Sequence, residues 1–387
     1  MTSRRSVRGM AALAAAALVW GLTAGPAVAD TIRDQQWALK VYDAPGKVWP
    51  ISQGDGVTVA VIDSGVNADH QDLTGQVLPG ADFSGGQSDG RVDTEGHGTA
   101  MASLIAGHGH GDQSGVMGLA PKAKILPVRL DLSEAGDVSA SNGDRFADAL
   151  RYAVDHGAKV VNMSITGAMR TSPADREAVA YAVSRDVVLV AGSGNLASDV
   201  GYPAAFPGVV AVGAVDKTGS IWVKSDCGPE LTLVAPGVSI VDAGNKSPTD
   251  YRYADGTSDA TAYVSAIAAL VRSKYPDLTA GQVIRRLITS ADAPPDHSAA
   301  PNDRYGYGIA SPSKALKANP AVDNGPKDNP LLNRVESQGG PDSASPAPVP
   351  QAAGRDGGVS VWLYVGGGVV LVLVVAGIGV LVRRATA

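Results

Sequence analysis

The sequence has almost no cysteine, few aromatic residues and no excess of positive charge. Its 387 residues include one cysteine, Cys227, so the chain cannot form an internal disulfide. Aromatic residues make up 5%, but apolar residues together make up 44%, which is enough for a sizeable core without covalent crosslinks. The formal net charge is −6, which argues against nucleic acid as a partner. Glycine is abundant, with 47 residues, and this is typical of folds with tight turns and close backbone approaches.

The N-terminus has the pattern of a signal peptide. Residues 10–25 are apolar and uncharged, three arginines precede them, and Ala27-Val28-Ala29 offers small residues at the cleavage positions. We therefore predict a signal peptide of residues 1–29 that is removed before Asp30. The alternative, an anchor helix that stays uncleaved, is less consistent with so short and alanine-rich a segment.

The C-terminus has the pattern of a transmembrane helix. Residues 359–382 carry no charge and exceed the roughly 20 residues that a helix needs to cross a membrane. Arg383 and Arg384 follow at once, and positive residues favour the cytoplasmic side, so residues 383–387 are predicted to form a cytoplasmic tail. Everything before Val359 is then extracytoplasmic, in agreement with the signal peptide. The predicted localisation is a single-pass protein of the cell membrane.

Between these ends the chain alternates strand-like and helix-like segments. Short β-branched runs such as Val57–Ile62 and Val187–Ala191 suit strands buried on both faces, and Pro173–Arg185 is a helical pattern between two of them. The alternation predicts an α/β fold with a doubly wound, mostly parallel sheet and helices on both faces. We assign it to residues 55–318. Residues 30–54 are too few for a pro-domain with its own core and are predicted to be an arm packed on this domain. Residues 319–358, rich in Pro, Ser and Gly, are predicted to be a flexible tether.

Two segments could supply a carboxylate and a base. Asp63 follows the apolar run Val57–Ile62, so it lies where a strand ends and could orient a histidine, although turn formation is the usual role of such an aspartate. His97 lies between Gly96 and Gly98 at the predicted start of a helix, and the two glycines allow a close backbone approach. A lone histidine is more often a surface or capping residue.

Two further segments could supply a nucleophile and a hydrogen-bond donor. Ser258 opens a long apolar helix, where the helix dipole favours negative charge and its own N–H could stabilise an oxyanion. The simpler interpretation is an N-cap serine. Asn195 follows a glycine-rich strand end, and its amide could donate to the same oxyanion. Taken alone, it would be interpreted as a turn residue.

In the order Asp, His, Asn, Ser, these segments resemble the subtilase family of serine proteases. The matching motifs read VAVIDSGV, GHGTAMA and GTSDA, and the resemblance runs from about Gly54 to Ala318. It implies the doubly wound sheet and a set of roles: Ser258 as nucleophile, His97 as general base and acid, Asp63 as its orienting group, and Asn195 as oxyanion donor. It also implies a peptide or protein substrate, bound in extended form. The residues expected to border the substrate are Ser164, Ile165, Thr166, Gly167, Gly192, Ser193 and Gly194.

The motifs also depart from the family pattern. Asp259 stands where the family commonly has Phe or Met. An acid there would favour the helix dipole and, as the neighbour of the nucleophile, is a candidate for biasing substrate charge. Ala262 and Ala266 replace a usual proline and glycine. No calcium loop with the required ligand spacing is present, and no cofactor is predicted; calcium binding by loop carboxylates is left open.

The layout resembles the mycosins, the membrane-bound subtilases of type VII secretion systems. A signal peptide, a short arm, the protease domain, a Pro-rich tether and one terminal helix follow each other as in that group. The resemblance implies an extracytoplasmic serine endopeptidase associated with a type VII secretion membrane complex. Two alternatives are a general surface protease and a scaffold of a secretion complex that needs no catalysis.

Overall fold

A seven-stranded sheet forms the centre of the protein. The computed structural model describes residues 32–111, 113–132, 137–138, 145–167 and 172–334. Every neighbouring pair in the sheet is parallel. The strands lie in the spatial order β11 (Leu231–Pro236), β10 (Val210–Val215), β9 (Val188–Gly192), β7 (Val160–Met163), β1 (Thr58–Asp63), β5 (Lys124–Arg129) and β2 (Ala81–Asp82).

Three two-stranded ladders and a set of helices complete the described fold. The ladders pair β3 (His108–His110) with β4 (Ser114–Met117), β6 (Asp137–Val138) with β8 (Thr166–Gly167), and β12 (Ile240–Ala243) with β13 (Tyr251–Ala254). The helices are α1 (Ile32–Gln35), α2 (Trp37–Val41), α3 (His97–Ala106), α4 (Arg145–Asp155), α5 (Pro173–Ser184), α6 (Thr257–Lys274), α7 (Ala280–Thr289), α8 (Pro312–Ala315) and α9 (Pro320–Asp323), with a π-helical turn at Ala44–Val48.

Helices cover both faces of the sheet, as the alternation of the sequence predicts. Side chains along a strand point alternately to opposite faces, so Val59 and Val61 of β1 pack under α3 and α6, while Ala60 and Ile62 pack under α4 and α5. All four are fully buried. The fold is therefore the predicted α/β class, with a mostly parallel sheet between two helical layers.

The arm before β1 packs on the domain through long-range hydrogen bonds. Trp37 donates from Nε1 to the Val238 carbonyl at 3.0 Å, and Trp49 donates from Nε1 to the Leu119 carbonyl at 3.0 Å. Ser52 donates to the Leu270 carbonyl at 2.9 Å. The described part of the arm is thus held against the loop before β12 and against α6.

Residues 319–334 are an integral part of the domain, so the prediction of a flexible tether is wrong for them. Asn319 caps α9, and Asp323 at its end pairs through both carboxylate oxygens with Arg286, which is only 1% exposed. Asn329 then donates to the Gly208 carbonyl at 2.8 Å, and Leu331 is buried. The Pro, Ser and Gly content of the segment suggested a linker, because amino-acid composition alone does not show which distant residues a segment contacts.

The predicted terminal segments are not part of the described structure. The signal peptide 1–29, the rest of the tether at 335–358, the span 359–382 and the tail 383–387 lie outside the described residues. Within the described ranges, no helix combines the length and the apolar character that crossing a membrane requires.

Candidate active site

One edge of the sheet brings the four predicted catalytic residues to the same region. Asp63 is the last residue of β1, and Asn195 lies three residues after the end of β9, which is separated from β1 by β7. Carboxyl ends of parallel strands share one edge, where ligands bind in open α/β sheets. His97 begins α3 and Ser258 is the second residue of α6, and these two helices pack against each other.

Asp63 and His97 form a direct hydrogen bond. His97 Nδ1 lies 2.8 Å from Asp63 Oδ1 and 3.0 Å from Oδ2. A carboxylate only accepts, so Nδ1 carries the proton, and in the neutral ring Nε2 is free to accept another. The Asp63 side chain is fully buried, while that of His97 is 24% exposed. Burial lowers the pKa of His97, but the charge of Asp63 and the hydrogen bond to it raise the pKa more, and the net shift is upward.

The glycines around His97 permit this contact. A methyl group on Gly98 would lie 2.0 Å from the Gly65 carbonyl oxygen and 3.1 Å from Asp63 Cβ. Gly96, which precedes the helix, has φ of 93°, a left-handed conformation that favours glycine. The two glycines therefore let α3 begin directly against the turn that follows Asp63, as the sequence predicts.

Asp93 stabilises the start of α3 through several hydrogen bonds. It was not predicted from the sequence as a functional residue. One of its carboxylate oxygens accepts from Gly96 N–H at 2.7 Å and from the Ser64 hydroxyl at 2.9 Å. The other accepts from Thr99 N–H at 2.9 Å and from the Thr99 hydroxyl at 2.5 Å. A single buried carboxylate thus joins the turn after Asp63 to the first turn of the helix. Its only sequence signal is an aspartate shortly before a helix start.

Ser258 lies in the first turn of α6, held against the strand end of β7. Its hydroxyl donates to the Ser164 carbonyl at 3.3 Å, and its own carbonyl accepts from the Ser164 hydroxyl at 2.9 Å. The Ser164 hydroxyl in turn accepts from Asn162 Nδ2. Asn162 Oδ1 accepts from Ser265, which lies about two helical turns after Ser258 on α6. Among the hydrogen bonds of the described residues, none joins Ser258 to His97.

Asn195 is oriented by Thr257. Its Oδ1 accepts from Thr257 N–H at 2.9 Å and from the Thr257 hydroxyl at 3.0 Å. A backbone N–H can only donate, so the atom facing it is the amide oxygen and Nδ2 points the other way. The geometry leaves the amide N–H groups of Asn195 free to act as donors.

A small cleft lies beside Ser258. Among the described residues it is lined by Ser164, Ile165, Thr166, Gly192, Asn195, Thr257 and Ser258. Of the predicted substrate-bordering residues, Gly167, Ser193 and Gly194 do not line it within that part of the chain. The Ser193 side chain is fully buried and donates to the Asp226 carbonyl, so it could border a substrate only through its backbone.

Asp259 does not face the cleft as a charged side chain. It is only 1% exposed, so it does not contact a substrate directly, and its influence on substrate charge stays a prediction. The helical period carries its side chain under the first turn of α6, towards β12 and β13. It lies in that first turn, as expected for an acid near a helix N-terminus.

The chain is similar to subtilases over most of its described length. The model of the subtilase family matches residues 54–308. Subtilisin DY of Bacillus licheniformis is 37% identical over 245 residues, which is 62% of this chain and 85% of that protein. A thermophilic serine proteinase of Bacillus sp. (strain AK1) is 38% identical over 231 residues, which is 58% of this chain and 55% of that protein.

Solved structures of similar fold include two proteases named MycP. The structure of MycP3 protease from the type VII (ESX-3) secretion system has a TM-score of 0.65 and 32% identity, over 77% of this chain and 90% of that one. MycP1 from Mycobacterium smegmatis has a TM-score of 0.64 and 27% identity, over 79% of this chain and 89% of that one. From its family match and its subtilisin relatives, this chain belongs to the subtilase family and is a serine endopeptidase.

Proposed function

We propose that Asp63, His97 and Ser258 form the catalytic triad of this endopeptidase, with Asn195 as oxyanion donor. The observation that carries the proposal is the hydrogen bond between Asp63 and His97 Nδ1 at the strand edge where α6 presents Ser258. A carboxylate held on Nδ1 fixes the tautomer in which Nε2 accepts the proton of a nucleophile. The buried environment of Asp63 keeps water from competing for that contact.

In this proposal the reaction begins with a rotation of the Ser258 side chain. The hydroxyl leaves the Ser164 carbonyl and turns towards His97, which takes its proton as Oγ attacks the scissile carbonyl carbon. The Ser258 N–H and Asn195 Nδ2 stabilise the oxyanion of the tetrahedral intermediate. His97 then gives the proton to the leaving amine, and water attacks the acyl-enzyme by the same route to release the acid and restore Ser258.

The same edge is proposed to bind the substrate backbone. Residues 164–167 and 192–194 follow or end neighbouring strands, and an extended peptide can pair with such backbone. Ser164, Ile165, Thr166 and Gly192 line the cleft beside Ser258. The proposed substrate is a protein or peptide in extended conformation.

We further propose that the protease is a membrane-anchored extracytoplasmic enzyme associated with a type VII secretion complex. The anchor rests on the uncharged residues 359–382 and on Arg383 and Arg384 behind them. The association is supported by similarity to the MycP3 protease from the type VII (ESX-3) secretion system and to MycP1 from the ESX-1 type VII secretion system. It is also supported by a layout that resembles that of the mycosins.

A fluorophosphonate probe tests the triad without knowledge of the substrate. We expect the full chain in isolated membranes to be labelled, and the Ser258→Ala variant, which keeps the helix and the neighbouring contacts, to be unlabelled. Asp63→Ala should slow labelling by about 10⁴-fold, because His97 loses its tautomer control. A folded wild-type protein that stays unlabelled would contradict the proposal and favour a scaffold without catalysis.

Two measurements test the location and the partner. Protease added to intact cells or spheroplasts should digest residues before 359 and leave the tail, while loss of residues 359–387 should release the protein from membranes. Purification of the full chain in mild detergent should recover membrane components of a type VII system, and Ser258→Ala should still recover them. A monomer without such components would favour the general surface protease.

A further inference from the structure

Two buried carboxyl groups lie behind the proposed nucleophile. Asp259 follows Ser258 directly and is 1% exposed, and Asp242 on β12 is fully buried. Asp242 pairs with Arg252 across the β12–β13 ladder, with 2.8 Å between Oδ1 and Nε. Neither aspartate belongs to the proposed triad, and a carboxylate as buried as Asp259 requires a partner or a proton.

The charges of this cluster do not balance if both carboxyls are ionised. Arg252 hydrogen bonds to Asp242, whereas Asp259 Oδ1 is buried with no hydrogen-bond partner among the residues that the structure describes. Asp242 Oδ2 is likewise buried without a partner. The cluster thus has two carboxyl groups and a single guanidinium. One oxygen of each carboxyl group is left without a hydrogen-bond donor in the described part of the chain. A single proton on Asp259 neutralises the surplus charge, because Asp242 already has Arg252 as its cation.

The electrostatics of the site favour a proton on Asp259. Burial raises the pKa of Asp259 well above its ordinary value, and the charge of Asp242 raises it further, while Arg252 and His97 act in the opposite direction. Exposed Asp255, on the loop before α6, raises it slightly. Burial also raises the pKa of Asp242 to about 6, against the lowering effect of Arg252.

Tyr263, one turn further along α6, adds no negative charge to this cluster. Burial raises the pKa of its phenol, and the charges of Asp259 and Asp242 raise it further, so the ring stays neutral. Within the described part of the chain, the main charged groups that act on Asp259 are His97 on α3, Asp242 on β12, Arg252 on β13 and Asp255 before α6.

Asp259 also borders the space in which the oxyanion would form. A methyl group built on Gly256 would lie 3.6 Å from Ser258 N and 3.8 Å from Asn195 Nδ2. The same point lies 3.8 Å from Asp259 Oδ2. The Asp259 carboxyl therefore lies close to both proposed donors of the oxyanion site. A negative charge on that carboxyl would oppose the stabilisation that the two donors provide.

We propose that Asp259 holds a proton at neutral pH and controls the charge next to the oxyanion position, so that its ionisation slows attack by Ser258. The proposal rests on the function proposed above for Ser258 and Asn195. Asp259 acts here through its charge and not by contact with the substrate. By Coulomb's law at an effective dielectric of about 20, a unit charge within about 10 Å of the oxyanion is large enough to slow the step about tenfold or more.

The first test measures the rate of fluorophosphonate labelling of the full chain between pH 7 and pH 10. We expect the ratio of the Asp259→Asn rate to the wild-type rate to rise about tenfold or more across this range, because asparagine cannot ionise. Asp255→Asn is the matched control: it removes an exposed negative charge three residues before Ser258 and keeps an acceptor for Ser239 N–H, so its ratio to the wild type should stay constant. An Asp259→Asn ratio that stays constant, or one that Asp255→Asn reproduces, overturns the proposal.

The second test does not depend on catalysis and uses the Ser258→Ala protein. An aspartate whose folded pKa is raised binds its proton more tightly in the folded state, so the unfolding free energy falls as pH rises from about 4 to the folded pKa. Asp259→Asn removes this fall. The midpoint of thermal unfolding of Asp259→Asn relative to its parent should therefore increase by about 3 °C or more between pH 4 and pH 8, and it should not do so for Asp255→Asn. A difference that is independent of pH overturns the proposal even if Ser258 proves unreactive, whereas failure of labelling alone would count only against the triad.

Discussion

Thr257 holds the Asn195 amide in one orientation through two hydrogen bonds to Oδ1. Its N–H lies 2.9 Å and its hydroxyl 3.0 Å from that oxygen. The hydroxyl also accepts from Gly194 N–H at 3.3 Å, so it links the end of β9 to the start of α6. The residue before the proposed nucleophile thus fixes the direction of the proposed oxyanion donor.

Thr257→Val should slow fluorophosphonate labelling without unfolding the protein. Valine keeps the N–H and the shape but removes the hydroxyl, so Asn195 retains one of its two restraints. We expect a loss of about tenfold, smaller than the 10²–10³-fold loss for Asn195→Ala, which removes the donor itself. Thr261→Val is the control, since its hydroxyl bonds only to the Thr257 carbonyl within the helix. Equal losses for Thr257→Val and Thr261→Val would show that the orientation of Asn195 does not matter.

Asp93→Ala should lower the free energy of unfolding by about 3 kcal/mol, because it leaves several buried donors without an acceptor. Those donors include Gly96 N–H, Thr99 N–H and the Ser64 hydroxyl. Denaturant unfolding in the Ser258→Ala background avoids self-digestion. Asp89→Ala, which loses only local contacts with Arg91, should change the value by less than about 0.5 kcal/mol. Similar effects of both variants would refute a special role for Asp93.

Gly98→Ala should destabilise the protein more than its helical position suggests. Alanine favours helices, but its methyl group would lie 2.0 Å from the Gly65 carbonyl oxygen, and neither backbone can give way easily. We expect a loss of about 3 kcal/mol and a marked drop in labelling, because α3 and His97 must shift away from Asp63. Gly157→Ala offers a comparison: it has φ of 85° but no atom within 4 Å of the new methyl, so about 1 kcal/mol and normal labelling are expected. A neutral Gly98→Ala would contradict the close approach.

The labelling rate should rise with pH around a midpoint above about 6.5, the ordinary pKa of histidine. Burial lowers the pKa of His97, but Asp63 raises it by its charge and its hydrogen bond, and the net direction is upward. Only the neutral ring accepts the proton of Ser258, so the rate increases as His97 loses its own proton. Rates measured from pH 5 to pH 8 check this. A midpoint at or below 6.5 would mean that burial outweighs Asp63.

A chain that ends at Ala318 should be far less stable than one that ends at Arg334. The shorter chain lacks Asp323, so the buried guanidinium of Arg286 loses both of its charged hydrogen bonds. Removal of one partner of a buried ion pair costs about 3–5 kcal/mol. Asp323→Ala in the longer chain isolates this contribution and should account for most of the difference. Equal unfolding midpoints for the two chains would contradict the packing of residues 319–334.

The strands of the sheet and its helices could be predicted from the sequence, because buried strands consist of short runs of apolar, β-branched residues. The run predicted at Val57–Ile62 is the strand Thr58–Asp63, and the helix predicted at Pro173–Arg185 is Pro173–Ser184. Local signals fix such ends: Pro173 suits the first helical position and Ser172 caps it. The four candidate catalytic positions come to one edge because their motifs follow strand ends or begin helices.

Long-range relationships were beyond the sequence. Asp259 has Asp242 and Arg252 as neighbours only because β12 and β13 pair in one register and α6 turns its first side chains towards them. The sequence of α6 contains no information about the register in which β12 and β13 pair. In the same way Asp323 lies in a polar segment three residues after Pro320, so its composition suggested a linker. Only the position of the buried Arg286 gives it a partner in the domain.

The central position of α6 has a consequence for the nascent chain. The helix ends at Lys274 and covers one face of β7, β9, β10 and β11, so the valines of that face stay exposed to water until most of the domain has been made. Ser52, at the end of the arm, can form its hydrogen bond to the Leu270 carbonyl only after a further 218 residues have been synthesised. Contacts of such separation slow folding and leave apolar strands open to aggregation in the meantime. A truncated product that stops before residue 274 would therefore be a target for chaperones and quality-control proteases, with a face of the sheet that no remaining segment can cover.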